Sequence, residues 1–267
     1  MTNISSRPLA VVTGASSGIG YELAKQFAQN GFDLLIAAED DKINQVAPDF
    51  AAWGAKVQVV QVDLATYDGV EKLYGEIQAS NRPVEAIAIN AGVGVGGDFA
   101  RETDLRDELN LIQLNVVSTV HLAKRVVKDM VARNGGRMLF TSSIAALMPG
   151  AFEAVYAASK AFIQSFAEAI RNELKDTGVT VTALMPGPTD TNFFHRAGMD
   201  DTKAGAGKKD DAAQVAKQGF EALMAGKDAV LAGSPMNKIQ GAVSKILPDP
   251  MVAEQHRKLA EPGSANK

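Results

Sequence analysis

Thr13-Gly-Ala-Ser-Ser-Gly-Ile-Gly20 is the stretch on which the fold turns. An apolar run, Leu9-Ala-Val-Val-Thr13, leads into it and reads as a buried strand. A helical pattern from Gly20 to Asn30 leads out. Gly14, Gly18 and Gly20 allow a tight turn and let an anion approach the helix N-terminus closely. Free N–H groups and the helix dipole favour negative charge there. Ser16, Ser17 and Ile19 complete the turn. Glycine-rich strand-to-helix turns also arise for packing alone, so the surroundings must decide.

Working outward, short apolar runs alternate with helical patterns. Asp33 to Ala37, Val57 to Val62, Ala86 to Asn90, Arg137 to Thr141 and Val179 to Met185 read as strands. Asp40 to Trp53, Gly69 to Ala79, a long Leu105 to Arg133, and Val155 to Lys175 read as helices. Strands of five or six residues alternating with helices imply parallel pairing through right-handed crossovers. The expected class is therefore α/β: a single-domain, Rossmann-like, doubly wound parallel sheet with helices on both faces.

The chain of 267 residues suits one domain over 1–267. Asn192 to Asp211, rich in glycine and charge, reads as a mobile substrate loop over about 192–211. Ala212 to Ala225 reads as a helix and Ala229 to Ala232 as a short edge strand. A C-terminal extension of about 233–267 follows, broken by Pro235, Pro248, Pro250 and Pro262. Hydrophobic residues make up 46% and charged residues 22%, as in a soluble globular protein. A formal charge of −4 argues against a nucleic-acid partner. No cysteine is present, which excludes disulfides and thiolate metal sites and suits a reducing, cytoplasmic location. Met1 to Pro8 has no apolar signal core, and no run predicts stable membrane insertion. His121, His195 and His256 are scattered, so no metal site is expected.

Chemistry enters at Tyr156-Ala-Ala-Ser-Lys160, with Ser143 thirteen positions upstream. Residues four apart on a helix share a face, so the lysine cation can act on the phenol. A free phenol has a pKa of about 10 and is a poor acid at neutral pH. A neighbouring cation stabilises the phenolate and is expected to lower that pKa, freeing the proton for transfer to a carbonyl oxygen. Isolated pairs of this kind are common on helices, so the pair gains weight only from its company.

That company resembles the short-chain dehydrogenase/reductase family. The spacing Gly14-x-x-x-Gly18-x-Gly20 after Thr13 resembles the family's TGxxxGxG. Further matches follow in order over about Leu9 to Asn192. Asp63-Leu64 resembles the pair that holds adenine. Asn90-Ala91-Gly92 resembles NNAG, with Ile89 in place of the first asparagine. Asn115 stands where the family has a catalytic asparagine, and Ser143, Tyr156 and Lys160 follow. Pro186-Gly187 with Thr189 and Thr191 resembles the PGxxxT motif that positions nicotinamide. The resemblance implies one dinucleotide-binding and catalytic domain in which Tyr156 is general acid or base. Lys160 would tune Tyr156 and hold the nicotinamide ribose, Ser143 would bond the substrate oxygen, and Asn115 would hold a water of a proton relay. On the residues alone, Ser143 reads equally as a cap and Asn115 as a helix-interior residue bonding its own backbone.

Cofactor choice rests on two positions where NADP-preferring relatives carry a base. Here they are Ser17 and Ala38-Glu39-Asp40-Asp41, with no base at either. Glu39 suits a free ribose diol, so NAD is favoured and NADP is the alternative. Glu39 also reads as an N-terminal carboxylate of the next helix, and Lys42 is a candidate phosphate contact. Val93 to Phe99, Ile144 to Phe152 and Phe193 to Met199 are expected to line a mostly apolar substrate pocket. His195 reads either as a substrate contact or as an exposed loop residue. Phe162, Phe166, Ile170 and Leu174 form a stripe that is either core-facing or, as in the family, part of a homodimer or homotetramer interface. The function implied is interconversion of a secondary alcohol and a ketone or aldehyde. The competing readings are a non-catalytic dinucleotide-binding sensor or assembly partner, and an epimerase or dehydratase on the same fold.

Overall fold

The structure is a computed structural model and describes residues 7–234 and 248–266. Pro235 and the rest of the expected extension up to 247 lie outside the described residues, as do residues 1–6. The element order is β1 (Leu9–Thr13), α1 (Gly18–Gln29), β2 (Asp33–Ala38), α2 (Lys42–Ala51), β3 (Val57–Gln61), α3 (Tyr67–Ala79) and β4 (Val84–Ile89). Then come α4 (Leu105–Ile112), a π turn (Gln113–Val117), α5 (Ser118–Ala132), β5 (Gly136–Thr141), a 3-10 turn (Ile144–Leu147) and α6 (Ala154–Glu173). The chain continues through β6 (Val179–Pro186), α7 (Phe193–Arg196), α8 (Lys203–Ala206), α9 (Ala212–Met224), β7 (Ala229–Ala232) and a C-terminal helix (Asp249–Ala260).

The seven strands form one sheet in the order β3-β2-β1-β4-β5-β6-β7, every pairing parallel. Connections run outward in opposite directions from the β1–β4 junction, which opens a crevice at the strands' C-terminal ends. Because side chains alternate across a strand, neighbouring residues enter different cores. Val11, Leu35 and Phe140 pack with Leu73, Leu122 and Ile163 of α3, α5 and α6. Val12, Ile36 and Leu139 pack with Leu23, Phe27 and Phe220 of α1 and α9. Both faces are covered, which is why β1 and β2 are apolar and buried throughout apart from Thr13 and Asp33. The expected doubly wound α/β sheet is the one observed. Among the described residues no helix is long and apolar enough to cross a membrane.

Two sequence expectations are corrected, and the stripe left open along α6 packs in part on the core through Phe166, Ile170 and Leu174. The helix expected over Leu105 to Arg133 is broken at Gln113–Val117, where Ser118 N–H donates five residues back to the Gln113 carbonyl. One extra residue in the turn leaves the apolar pattern nearly unchanged, so periodicity cannot see it. The segment from 192 to 211 contains α7 and α8, short helices stabilised by Thr202, whose hydroxyl accepts from Gly205 N–H at 2.9 Å. Along α6 the buried residues are Tyr156, Ala157, Ser159, Lys160, Ile163, Gln164 and Ala167. Phe166 and Ile170 are only partly buried, and Phe162 is 41% exposed.

Candidate active site

The glycine turn sits at the crevice, and its geometry explains the residue types. Gly14 and Gly18 have φ of +68° and +55°, the left-handed region that glycine enters freely. A Cβ on Gly20 would lie 2.1 Å from the Gly14 carbonyl oxygen, so any side chain there is excluded by backbone. The first turn of α1 has no side-chain cap from Ser17 and no acidic residue, leaving its N–H groups facing the cleft. Thr13 Oγ1 accepts from Asn90 N–H at 2.9 Å and Ala91 N–H at 3.0 Å. The Asn90 amide donates to the Thr13 carbonyl at 3.1 Å and accepts from Thr141 Oγ1 at 3.0 Å. Three strand ends are thereby locked together beneath the cleft.

Gly14, Ser16, Ser17, Gly18, Ile19, Gly20, Glu39, Asp63, Leu64, Asn90, Ala91, Gly92, Pro186, Gly187, Thr189 and Thr191 line one continuous cleft with Ser143, Tyr156 and Lys160. Of the predicted catalytic and cofactor-binding residues, Asn115 alone lies behind the wall. It is 2% exposed, accepts from Val93 N–H at 3.0 Å, and donates to the Val93 carbonyl at 2.9 Å and Ser159 Oγ at 3.1 Å. Its side chain thus fastens the segment after β4 to α6, while the π turn supplies its placement.

Lys160 Nζ donates to the Thr141 carbonyl at 3.0 Å and lies 5.7 Å from the Tyr156 ring centroid. Burial pushes the Lys160 ammonium down to a pKa of about 8. Ser143 caps the 3-10 turn by accepting from Ala145 N–H at 3.1 Å, and it lines the same cleft as Tyr156. The expected lowering of the Tyr156 pKa is not what these side chains produce. Burial drives the phenol above its ordinary value, the Glu153 carboxylate adds to that, and Ser143 opposes both. The reason is that Tyr156 is almost wholly desolvated and has an anion three residues away, a neighbour the Tyr/Lys spacing does not reveal.

At the far end, Glu39 meets Arg196 of α7, whose guanidinium donates to Glu39 Oε1 at 2.7 Å. Ser17 and Ala38 to Asp41 carry no base, but one arrives beside Glu39 from 157 positions away. Lys42 does not line the cleft, whereas Arg196 does. At the opposite end the apolar wall is Ile144, Ala145, Met148, Phe193 and Phe194, while Ala146, Leu147 and Val95 to Phe99 of the expected lining stay outside the cleft. It also holds a polar pair that sequence reasoning missed, Glu153 and His256. His195 does not line the cleft; its Nδ1 meets Asp200 at 2.7 Å on an exposed surface. Only Glu153 had a local signal, three residues before Tyr156; Arg196 and His256 had none.

The family model for short chain dehydrogenase matches residues 8–202. A short chain dehydrogenase of Pseudocercospora fijiensis is 32% identical over 186 residues, covering 69% of this chain and 60% of that protein's length. The NADP-dependent 3-hydroxy acid dehydrogenase YdfG of Salmonella typhi is 30% identical over 199 residues, covering 74% and 79%. A short chain dehydrogenase/reductase of Burkholderia phymatum, solved in complex with NAD, superposes with a TM-score of 0.82 at 23% identity, covering 94% of this chain and 95% of that one. The fold, the ordered motifs and these matches agree: the chain belongs to the short-chain dehydrogenase/reductase family of oxidoreductases.

Proposed function

We propose that this protein interconverts a secondary alcohol and a ketone or aldehyde using a nicotinamide dinucleotide, with Tyr156 as general acid and base. The observation that carries the reading is convergence. Ser143, Tyr156 and Lys160 share one cleft with a glycine turn in which only hydrogen fits at position 20. That cradle and the uncapped start of α1 fit a pyrophosphate. Gly14 to Gly20 would hold it, Asp63 and Leu64 the adenine, Glu39 the ribose diol, and Asn90 to Gly92 with Pro186 to Thr191 the nicotinamide half. The bound nicotinamide supplies the hydride chemistry that no side chain can.

The chain's own residues handle the proton. Ser143 and Tyr156 point hydroxyls at one substrate oxygen. The Ser143 hydroxyl pulls the phenol's pKa down against burial. Lys160, anchored to Thr141, places a cation beside the ring and stabilises the phenolate as it forms. Asn115 acts through Val93 and Ser159, holding the cleft wall at the distance these contacts need.

NAD is the favoured cofactor, because Glu39 offers a carboxylate to the ribose hydroxyls. The apolar wall supports an apolar carbonyl or alcohol, and a relative named as a hydroxy acid dehydrogenase supports the reaction class. The test is Tyr156→Phe, assayed with NADH, NADPH and a panel of ketones and secondary alcohols. Turnover should fall at least about a hundredfold while cofactor binding, read by fluorescence titration, stays intact. Near-normal turnover in that variant would overturn the reading.

A further inference from the structure

The three residues before α6 carry constraints that the proton-transfer chemistry above does not use. Phe152 has φ of +64°, in the left-handed region that bulky side chains avoid. It is held there: Gly97 N–H donates to the Phe152 carbonyl at 2.9 Å, and the Arg257 guanidinium lies 5.0 Å over its ring. His256, on the C-terminal helix, grips both neighbours of Phe152. Its Nδ1 meets the Ala151 carbonyl at 2.9 Å, and its Nε2 faces Glu153 Oε2 at 3.4 Å. Both the imidazole and the carboxylate are 8% exposed.

A carbonyl and a carboxylate only accept, so the ring satisfies both when each of its nitrogens carries a proton. Burial by itself pushes the imidazole's pKa down, but Glu153 and the Ala151 carbonyl outweigh it and the net direction is upward. Glu153 is the residue preceding α6, three positions before Tyr156 and on the same face.

We propose that His256 and Glu153 form a positioning pair for Tyr156. The imidazolium clamps Ala151–Glu153, fixes the start of α6, and offsets an anion that the phenol would otherwise meet alone. This rests on the reading of Tyr156 as the proton-transfer group. The groups facing Tyr156 are Lys160 from its own helix, Glu153 just before that helix, Ser143 from the 3-10 turn, and the Phe193 ring from α7 at 5.1 Å. Around His256 the nearby cations are Arg257, over Phe152, and Lys209, over Phe194. The C-terminal helix is docked independently of the pair. Ala260 packs with Phe194 and Met199, Lys203 N–H donates to Ser264 Oγ at 3.0 Å, and Gly263 N–H donates to Asp201 at 2.7 Å.

The test compares His256→Gln, Glu153→Gln, the double variant and Tyr156→Phe in the full chain with cofactor. The first readout is the pH profile of kcat/KM for alcohol oxidation, in which phenolate is the working base. Glu153→Gln should move the acidic limb to lower pH and His256→Gln to higher pH, each by roughly one pH unit. The double variant should fall between them. The second readout needs no substrate: NMR titration of the His256 imidazole should show a midpoint that drops in Glu153→Gln. Limbs that stay put, limbs that move the same way in both single variants, or an unmoved imidazole midpoint would overturn the proposal. If His256→Gln fails to fold, Glu153→Gln must still lower both the limb and the midpoint. Retained turnover in Tyr156→Phe sinks the underlying reading instead. An inactive Tyr156→Phe with unmoved limbs sinks the pair alone.

Discussion

A lysine buried beside a tyrosine is a stability cost that the chain carries for its chemistry. Lys160 is 6% exposed and has a pKa of about 8 against an ordinary 10.5, so folding disfavours its charged form. The sign is set by the depressed cationic pKa: the cost is full below pH 8, shrinks as pH rises, and is gone above about 10.5. The difference corresponds to about 3 kcal/mol, from which the lost bond to Thr141 subtracts about 1 kcal/mol. Lys160→Met should therefore be more stable than the parent at pH 7 by about 2 kcal/mol while losing turnover. Thermal denaturation at several pH values checks this: the gap in Tm should close toward pH 10. Equal melting at pH 7 would show that Lys160 is not destabilised by burial. At this scale the sequence put Tyr156 and Lys160 on one face, because a helical spacing of four brings side chains together without help from the rest of the fold, and Ser143 lines the same cleft. It missed the rise in the Tyr156 pKa, which comes from desolvation and therefore from what packs around the ring.

Two elements far apart in sequence meet at the Glu39 end of the cleft. Glu39 follows β2, Arg196 closes α7, and each side chain is 48% exposed, so solvent and salt weaken their attraction. A weak pair of this sort can exchange partners. On the function proposed above, the Glu39 carboxylate would take a ribose diol and repel a 2′-phosphate. With Glu39→Gln, the repulsion goes and Arg196 is released to meet the phosphate. Glu39→Gln should shift preference toward NADPH over NADH by roughly tenfold or more, and adding Arg196→Ala should remove much of that gain. Fluorescence titration with both cofactors reads it; an unchanged ratio in Glu39→Gln would end the assignment. The same scale shows why the π turn escaped notice. Leu105 to Arg133 has helical periodicity throughout, and a single inserted residue alters hydrogen bonding without altering composition.

The whole molecule presents an apolar surface that its own sheet does not cover. Leu105 and Leu109 on α4, Val117 on the π turn and Phe162 on α6 are 68%, 51%, 47% and 41% exposed, and α4 packs against α6. We propose that a second copy of the chain covers this surface, in a homodimer or homotetramer. Leu109→Lys should then reduce the sedimentation mass to that of one chain while leaving helix content unchanged. A parent protein that sediments as a monomer would refute it. The sequence by itself determined the alternation of strands and helices, the parallel sheet, and the cleft-lining turn and Tyr/Lys pair. Those follow from local periodicity and from backbone positions, such as Gly20, where only one residue type fits. Only the tertiary structure decided that Arg196 reaches Glu39, that His256 reaches Glu153, and that Asn115 sits behind the cleft wall. Those contacts join residues 157, 103 and 44 positions apart. No periodicity encodes such meetings; they arise from how the crossovers return the chain to one crevice. The Tyr156/Lys160 pair is legible because four residues of helix suffice to form it. Its electrostatic setting is not, because burial supplies most of it.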